Sequence, residues 1–319
     1  MKIGMVDCDR KTQSKASPNL ALMKLSAYHK SQGDTVDWAE AGRSYDRLYV
    51  SKVFSFTPDP PLFGISAQEI VYGGSGFAIE LVDGKEVYHK ELDPDLQNEV
   101  EHSYPDYSLY GIKDTAYGFL EKGCPRACDF CHVKSMQGTK AHRVARLSEF
   151  WSGEKNIVLL DPNITACHDW REMFQELIDS KAWVDFSQGL DIRTMNPERI
   201  EMLRQVRVRN VHFAWDRYED KDIITRKLRE FKELTGWGKQ KVTVFILANF
   251  NTTLEQDIER VEFVRNEVGF TPYLMLYDKT HIKRGDPHNA LARWCNWKQF
   301  LFTIPTFADY KEALKNKLV

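Results

Sequence analysis

Three of the six cysteines in this chain fall within eight positions. Cys124, Cys128 and Cys131 stand in the run GCPRACDFCH as a C-x3-C-x2-C pattern. Thiolates at that spacing are soft metal ligands. Three of them in one tight loop can take three irons of a four-iron, four-sulfur cluster. The fourth iron is then left open, and an open coordination position is where a small molecule can chelate. A zinc site built from the same cysteines and His132 is the structural alternative. His132 directly follows Cys131, whereas zinc ligand pairs are usually better separated. Cys8, Cys167 and Cys295 are scattered, and the expectation for them is burial as small apolar side chains.

The chain has 319 residues, 42% hydrophobic and 28% charged, which is ordinary globular usage and enough for a large core. Lys and Arg total 44 against 46 Asp and Glu, so no global basic field points to nucleic acid. No run of 18 apolar residues is present, and MKIGMVDCDRK, with early acids and no apolar core, does not read as a signal peptide. Clustered cysteines without a disulfide framework suit a reducing, cytoplasmic setting, with no membrane partner.

The elements that must position the cysteines follow from hydrophobic patterning. KIGMVDC, TVDWAE and DRLYVSKVFSF read as strands, with a helix over Pro18 to Gln32 closed by Gly33. LFGISAQEIVYGGSGF adds a short fourth element and a glycine turn. This α/β start suggests a small Rossmann-like domain over residues 1–82. Residues 83–114 are polar and read as a linker with a short hairpin. Six further strand candidates then appear: AYGFL, IVLLD, VDFSQ, VHFAW, VTVFIL and PYLMLY. The last five start roughly every 30 residues, the length of one βα unit. Between them, Ile200, Leu203 and Val206 share one helical face, and Leu254, Ile258, Val261 and Val264 share another. The fold class is therefore α/β: a partial barrel over 115–285 after the small domain, then a helical tail over 286–319. Active sites of parallel barrels lie at the carboxyl ends of the strands.

With Phe130 as the aromatic residue before its last cysteine, the loop after the first barrel strand resembles the radical S-adenosylmethionine (SAM) superfamily. The resemblance spans about residues 115–280. It implies a partial (β/α)6 barrel and a [4Fe-4S] cluster on Cys124, Cys128 and Cys131. It further implies reductive cleavage of SAM to a 5′-deoxyadenosyl radical that acts on a substrate, with an electron donor such as flavodoxin or ferredoxin. By the same resemblance, Asp161 and Asn163 lie where the methionine amino group is held, although the usual Gly-Gly-Glu is absent. Ser187, Gln188, Asp191 and Arg193 lie where the SAM carboxylate and ribose are met. Asp216, after Trp215, is near the ribose contact. ANFNTT resembles the segment supporting adenine, Tyr277 ends the sixth strand beside it, and Phe130 shapes the same pocket. Each has a plainer reading. Asn163, Thr165, Asn251 and Thr252 suit helix caps. Asp191 and Arg193 suit a structural ion pair, and Phe130 and Trp215 suit core aromatics. His132, His168 and His212 have no spaced partner and are not read as metal ligands.

The N-terminal segment resembles a shortened form of the cobalamin-binding domain that precedes the barrel in one branch of the superfamily. Asp9-Arg10-Lys11 lacks the histidine of the D-x-H-x-x-G motif, so cobalamin is kept as an alternative: a cobalamin-dependent radical SAM methyltransferase. A methylthiotransferase would need two more N-terminal cysteines than Cys8. A noncatalytic cluster- or zinc-binding protein is the alternative of another class. Lys134, Lys140, His142, Arg143 and Arg146 follow the cysteine loop. They suit a solvated loop and leave a phosphate-bearing or nucleic-acid substrate open. The substrate itself is not legible.

Overall fold

The computed structural model describes residues 1–10, 18–82, 85–277, 282–283 and 285–316. They form two compact units, Met1–Val158 and Leu159–Val319. Both are α/β with parallel strand pairing. Among the described residues, no helix is long and apolar enough to cross a membrane.

The first unit opens with β1 (Lys2–Asp7), α1 (Leu20–Ser31), β2 (Thr35–Trp38), β3 (Ser44–Ser51) and β4 (Ser66–Gly73). The strands form a parallel sheet in the order β2-β1-β3-β4. Asn19 starts α1 by accepting the Leu22 N–H at 3.1 Å, and Gly33, at φ 82°, follows its end. Ile3, Met5 and Leu22 make one apolar cluster, and Tyr45, Leu48 and Val50 make another. A short helix α2 (Ser75–Ala78) leads into an antiparallel hairpin of β5 (Ile79–Val82) and β6 (Lys85–Tyr88). The expected hairpin thus begins a few residues ahead of the polar segment. A single turn of helix, α3 (Asn98–Glu101), follows.

β7 (Thr115–Gly118) then leads to the cysteine loop, which is framed by β8 (Glu121–Lys122) and β9 (His142–Arg143) and contains α4 (Val133–Met136). Gly118 is required by packing. A Cβ there would lie 2.4–2.6 Å from ring atoms of Phe150. Gly118→Ala is therefore expected to destabilise the protein by about 1–3 kcal/mol through overpacking. Adding Phe150→Leu should return part of that loss in urea melts; a fully additive double variant would contradict the steric cause.

The boundary between the units falls inside β10 (Asn156–Leu159). In the first unit the Asn156 N–H donates to the Asp114 carbonyl at 2.9 Å. In the second, the Leu159 carbonyl accepts the Ser187 N–H at 3.1 Å. That unit continues with α5 (Trp170–Ser180), β11 (Trp183–Phe186), α6 (Pro197–Gln205), β12 (Val211–Ala214), α7 (Lys221–Thr235), β13 (Val242–Ala248), α8 (Leu254–Glu262) and β14 (Thr271–Leu276). β12, β13 and β14 pair in parallel, and bridges Val184↔Val208 and Leu190↔Phe213 extend the series from β11. Asn196 caps α6 with Pro197 at its first position, and Thr253 and Gln256 form a capping box on α8. α8 runs straight into a π-helical turn, Phe263–Val268. Three helices close the chain: α9 (Pro287–Asn296), α10 (Lys298–Thr303) and α11 (Phe307–Lys315). The strands and helices expected from the sequence occur near their expected places, but β3 stops at Ser51, five residues short of the run DRLYVSKVFSF, and the last barrel helix is α-helical only to Glu262. One helical face needs correction. Ile200, Leu203 and Val206 are buried as expected, but on α8 the fully buried residues include Asp257 and Arg260, while Leu254 and Ile258 are only partly covered.

Candidate functional site

In the first unit, β8 pairs antiparallel with β9, Glu121 opposite Arg143 and Lys122 opposite His142. This ladder clamps the base of the cysteine loop. The Cys124 N–H donates to the Gly138 carbonyl and the Cys131 N–H to the Cys128 carbonyl, both at 3.1 Å. Gly123 has φ 88°, and a Cβ on it would lie 2.3 Å from the Lys140 carbonyl oxygen. Only glycine lets the two legs of the loop close there. Ala127, between the first two cysteines, takes the left-handed conformation at φ 46°, a backbone region unfavourable to residues with a side chain.

Cys124, Cys128, Cys131 and Phe130 are all half-buried, and the cysteines are thiols. His132 directs Nε2 at Glu86 Oε2, 2.9 Å away. Among the described residues, no three His, Cys, Asp or Glu side chains are grouped as for a single metal ion. The spacing of the three cysteines on this one loop suits an iron–sulfur cluster. Cys167 and Cys295 are buried, as the sequence predicts. Cys8 departs from that expectation, being half-buried at the carboxyl end of β1 against the Tyr45–Leu48–Val50 cluster. Burial still pushes its thiol up to about 11, and that of Cys295 up to about 12. In the basic run, Lys134 lies 3.7 Å from Asp129, His142 Nδ1 contacts the Lys140 carbonyl and Arg143 Nε donates to the Ala145 carbonyl. These contacts are all between residues close in sequence.

In the second unit the loops after β10, β11 and β12 gather polar residues. Asp161 and Asn163 are buried. Asn163 Oδ1 accepts from Thr165 Oγ1 at 3.2 Å, and Thr194 Oγ1 lies 2.8 Å from Thr165 Oγ1 and 2.7 Å from the Asp191 carbonyl. This chain joins the end of β10 to the end of β11. Arg193 donates to Asp191 at 2.8 Å and to Asp220 at 2.5 Å, so the ion pair of the plainer reading is present, with Asp220 as a third member. Asp191 also caps the short 3-10 turn Ile192–Thr194, whereas the turn Ile164–Ala166 has no side-chain cap bond from Asn163. α8 is capped by Thr253 instead of Asn251 or Thr252. Ser187 turns its hydroxyl back to the Leu159 carbonyl at 2.7 Å, and Gln188 is exposed. Trp215 is core, as its plainer reading has it. Tyr277 lies at the surface with its ring 4.8 Å from Phe250.

Asp216, the residue after Trp215, has its carboxyl pushed up to about 6 by burial, against the pull of Arg260 and Arg193 and a backbone hydrogen bond from Leu247. The folded value lies above the unfolded one. The native state therefore holds this proton more tightly, and stability falls as pH rises from about 4 to 6. Above that window the full penalty remains. Asp216→Asn is expected to stabilise the protein at pH 7.5 by up to about 3 kcal/mol. The gain should shrink towards zero below pH 4 in urea titrations; a pH-independent effect would contradict burial as its cause.

Sequence reading missed the residues that hold these strand ends. Arg260 is fully buried and donates to the Trp215 carbonyl at 2.6 Å and the Leu247 carbonyl at 2.8 Å, at the ends of β12 and β13. It also pairs with buried Asp257, whose other oxygen takes the Asn249 N–H at 2.9 Å. The only signal was two opposite charges three residues apart, which normally marks an exposed helix face. His212 was read as an isolated histidine. Its ring lies 5.0 Å from that of Phe245, and its Nδ1 is buried without a hydrogen-bond partner. Burial lowers its pKa, with Asp185 acting in the opposite direction.

The chain matches no family model and no curated protein. Its fold is similar to the solved structure of the radical SAM methyltransferase TsrM from Kitasatospora setae, determined with cobalamin and a [4Fe-4S] cluster bound. The TM-score is 0.56 over 86% of this chain and 74% of that one, at 13% identity. At that identity the likeness is one of fold.

Proposed function

We propose that this protein is a radical SAM enzyme. The observation that carries the reading is the C-x3-C-x2-C loop, set after β7 and clamped by β8 and β9. The likeness of fold to TsrM supports it. Cys124, Cys128 and Cys131 would hold the [4Fe-4S] cluster, and β7 with β10 to β14 would supply the partial (β/α)6 barrel. Reduced by an external donor, such a cluster would supply one-electron cleavage of SAM to methionine and a 5′-deoxyadenosyl radical.

The chain's own residues provide binding and orientation. Arg193, steadied by Asp191 and Asp220, offers a guanidinium for the SAM carboxylate. Asp161 and Asn163 supply acceptors for its amino group, Asp216 an acceptor for a ribose hydroxyl, and Phe130 and Tyr277 apolar surface for adenine. Ser187 and Gln188 line the same strand end. The electron donor would be flavodoxin- or ferredoxin-like.

The test is anaerobic reconstitution with iron and sulfide, reduction with dithionite, addition of SAM and quantification of 5′-deoxyadenosine. Brown protein with about four irons per chain and reductant-dependent product is the expected result. Colourless protein that takes up zinc and no iron would overturn the reading. A cobalamin-dependent methyltransferase is the second reading. It is favoured by the bound cobalamin of TsrM and by the parallel sheet β2-β1-β3-β4. It requires hydroxocobalamin to bind stoichiometrically with a change in its visible spectrum.

A further inference from the structure

The loops that lead into β11, β12 and β13 meet at one end of the second unit, because these strands run parallel. Asp191 and Asp216 follow the carboxyl ends of β11 and β12 and so lie at the other end. The seven residues of β13 put about 20 Å between the two ends. All three entry loops are basic. Lys181 precedes β11, Arg207 and Arg209 precede β12, and Lys239 and Lys241 precede β13; all are exposed except the half-buried Lys241. Backbone bonds join the loops into one face. The Val184 N–H donates to the Arg207 carbonyl and the Val211 N–H to the Lys241 carbonyl, both at 2.8 Å. Arg207 Nη1 also donates to the Lys181 carbonyl at 3.1 Å.

What these side chains rest on decides what they can do. Among the described residues, none of the five cations makes an ion pair with a carboxylate. The acids of the flanking segments are engaged elsewhere: Glu201 pairs with Arg204 at 3.0 Å, Glu267 with Arg229 at 2.6 Å, and Asp179 takes the Gln175 amide at 2.8 Å. Asp185 lies two residues further into β11 than Trp183. Three of the cations sit on rings instead. Arg209 is 5.6 Å from the Trp183 ring, Lys239 is 4.6 Å from Phe302 and Lys241 is 3.8 Å from Trp237. An aromatic face steadies a cation without neutralising it, so the charge stays available to an anion from outside. The rings keep open surface as well, with Trp183 39% and Phe302 38% exposed.

Cations and open rings side by side on one face match a polymer in which phosphates and bases alternate. A lipid surface is met differently, by an amphipathic helix that keeps apolar and basic residues on opposite faces. Here rings and cations share one face. We infer that this face binds single-stranded nucleic acid, with phosphates on Lys181, Arg207 and Lys239 and bases stacked on Trp183 and Phe302. The inference does not rest on the SAM chemistry proposed above, and its test needs neither cluster nor SAM.

The probe is a fluorescein-labelled RNA of mixed sequence, about 12 nucleotides long and so within the usual site size. It is titrated with the full chain and followed by fluorescence anisotropy. Saturable binding is expected, its affinity falling with salt along a log–log slope of about −3, the value for about four phosphate contacts on a single strand. Arg207→Gln with Lys239→Gln removes two of these contacts and should roughly halve the slope. Trp183→Leu removes a stacking surface and should weaken binding about five- to a hundredfold with little change in slope. Circular dichroism and urea midpoints establish that the variants are folded, and the exposed charge pair decides the matter if Trp183→Leu is not. No saturable binding at low salt, an unchanged slope in the double variant, or an unchanged affinity in folded Trp183→Leu would overturn the proposal. So would loss of binding in Lys140→Gln with Arg146→Gln, which would move the site to the basic run after the cysteines. Tighter binding to vesicles containing phosphatidylglycerol would overturn it too, by making the face a membrane contact.

Discussion

Cys128→Ala is expected to abolish 5′-deoxyadenosine formation while Cys8→Ala retains it. The expectation rests on the unequal chemistry of the six thiols. Cys8 and Cys295 are held protonated at neutral pH, their pKa values pushed by burial to about 11 and about 12. Cys167 is buried beside the 3-10 turn after β10. Only the loop places several thiols together, on a backbone already closed by Gly123 and by the Cys124–Gly138 and Cys131–Cys128 bonds. Two cysteines cannot replace three on a cluster. Loss of an outer-shell partner alone costs 10–100-fold at metal sites, so loss of a ligand should reduce product by at least about 100-fold. Iron content and the visible absorption of the reconstituted protein should fall with it. Full product from Cys128→Ala would remove the loop from the chemistry. Loss of product from folded Cys8→Ala would place a ligand in the N-terminal sheet.

The second large effect is on stability. Arg260→Met should destabilise the protein by about 3–5 kcal/mol, because it takes away the guanidinium paired with the buried Asp257 carboxyl and leaves His288 Nε2, 3.4 Å from Oδ2, as a basic neighbour. The Arg260 and Asp257 side chains have no solvent exposure. The same change releases the Trp215 and Leu247 carbonyls, the two backbone groups by which Arg260 joins the ends of β12 and β13. Asp257→Asn added to Arg260→Met removes that carboxyl and still lets Oδ1 accept the Asn249 N–H. The double variant should therefore be more stable than Arg260→Met alone, a non-additivity expected of residues in one network. Urea unfolding of the three variants measures this. A single variant within about 1 kcal/mol of the parent would show that water or backbone adjustment replaces the guanidinium.

Local signals were legible in the sequence and paired ones were not. The strands announce themselves as apolar runs, VTVFILA above all, because parallel strands covered on both faces need no alternation. Of the helix ends, Gly33 after α1 was read, whereas the caps Asn19, Asn196 with Pro197, and Thr253 with Gln256 were not, and Asn251 and Thr252 were named in place of Thr253. The cysteine loop was legible because its ligands are near neighbours in the chain. Arg260 and Asp257 were not, since a pattern reading places charges on the wet side of a helix. Only the fold reveals two carbonyls waiting at the other side. The same holds for Lys181, Arg207 and Lys239. They are far apart in the chain, and only the parallel order of the strands brings them to one face.

The π-helical turn at Phe263–Val268 bears on the genetics of this chain. It holds one residue more than an α-helical turn would, and the next segment is β14, where Pro272 and Leu274 are buried while Tyr273 and Met275 face outward. Alternation in a strand has a period of two, so a shift by one residue exchanges its faces. A one-codon deletion at the exposed Asn266 would therefore be absorbed by converting the π turn to an α turn, with β14 keeping its register. The same deletion within Phe270–Pro272 would turn Tyr273 and Met275 into the core. Codon-deletion scanning across 263–276 should accordingly show a tolerant island over the π turn and sharp intolerance immediately after it.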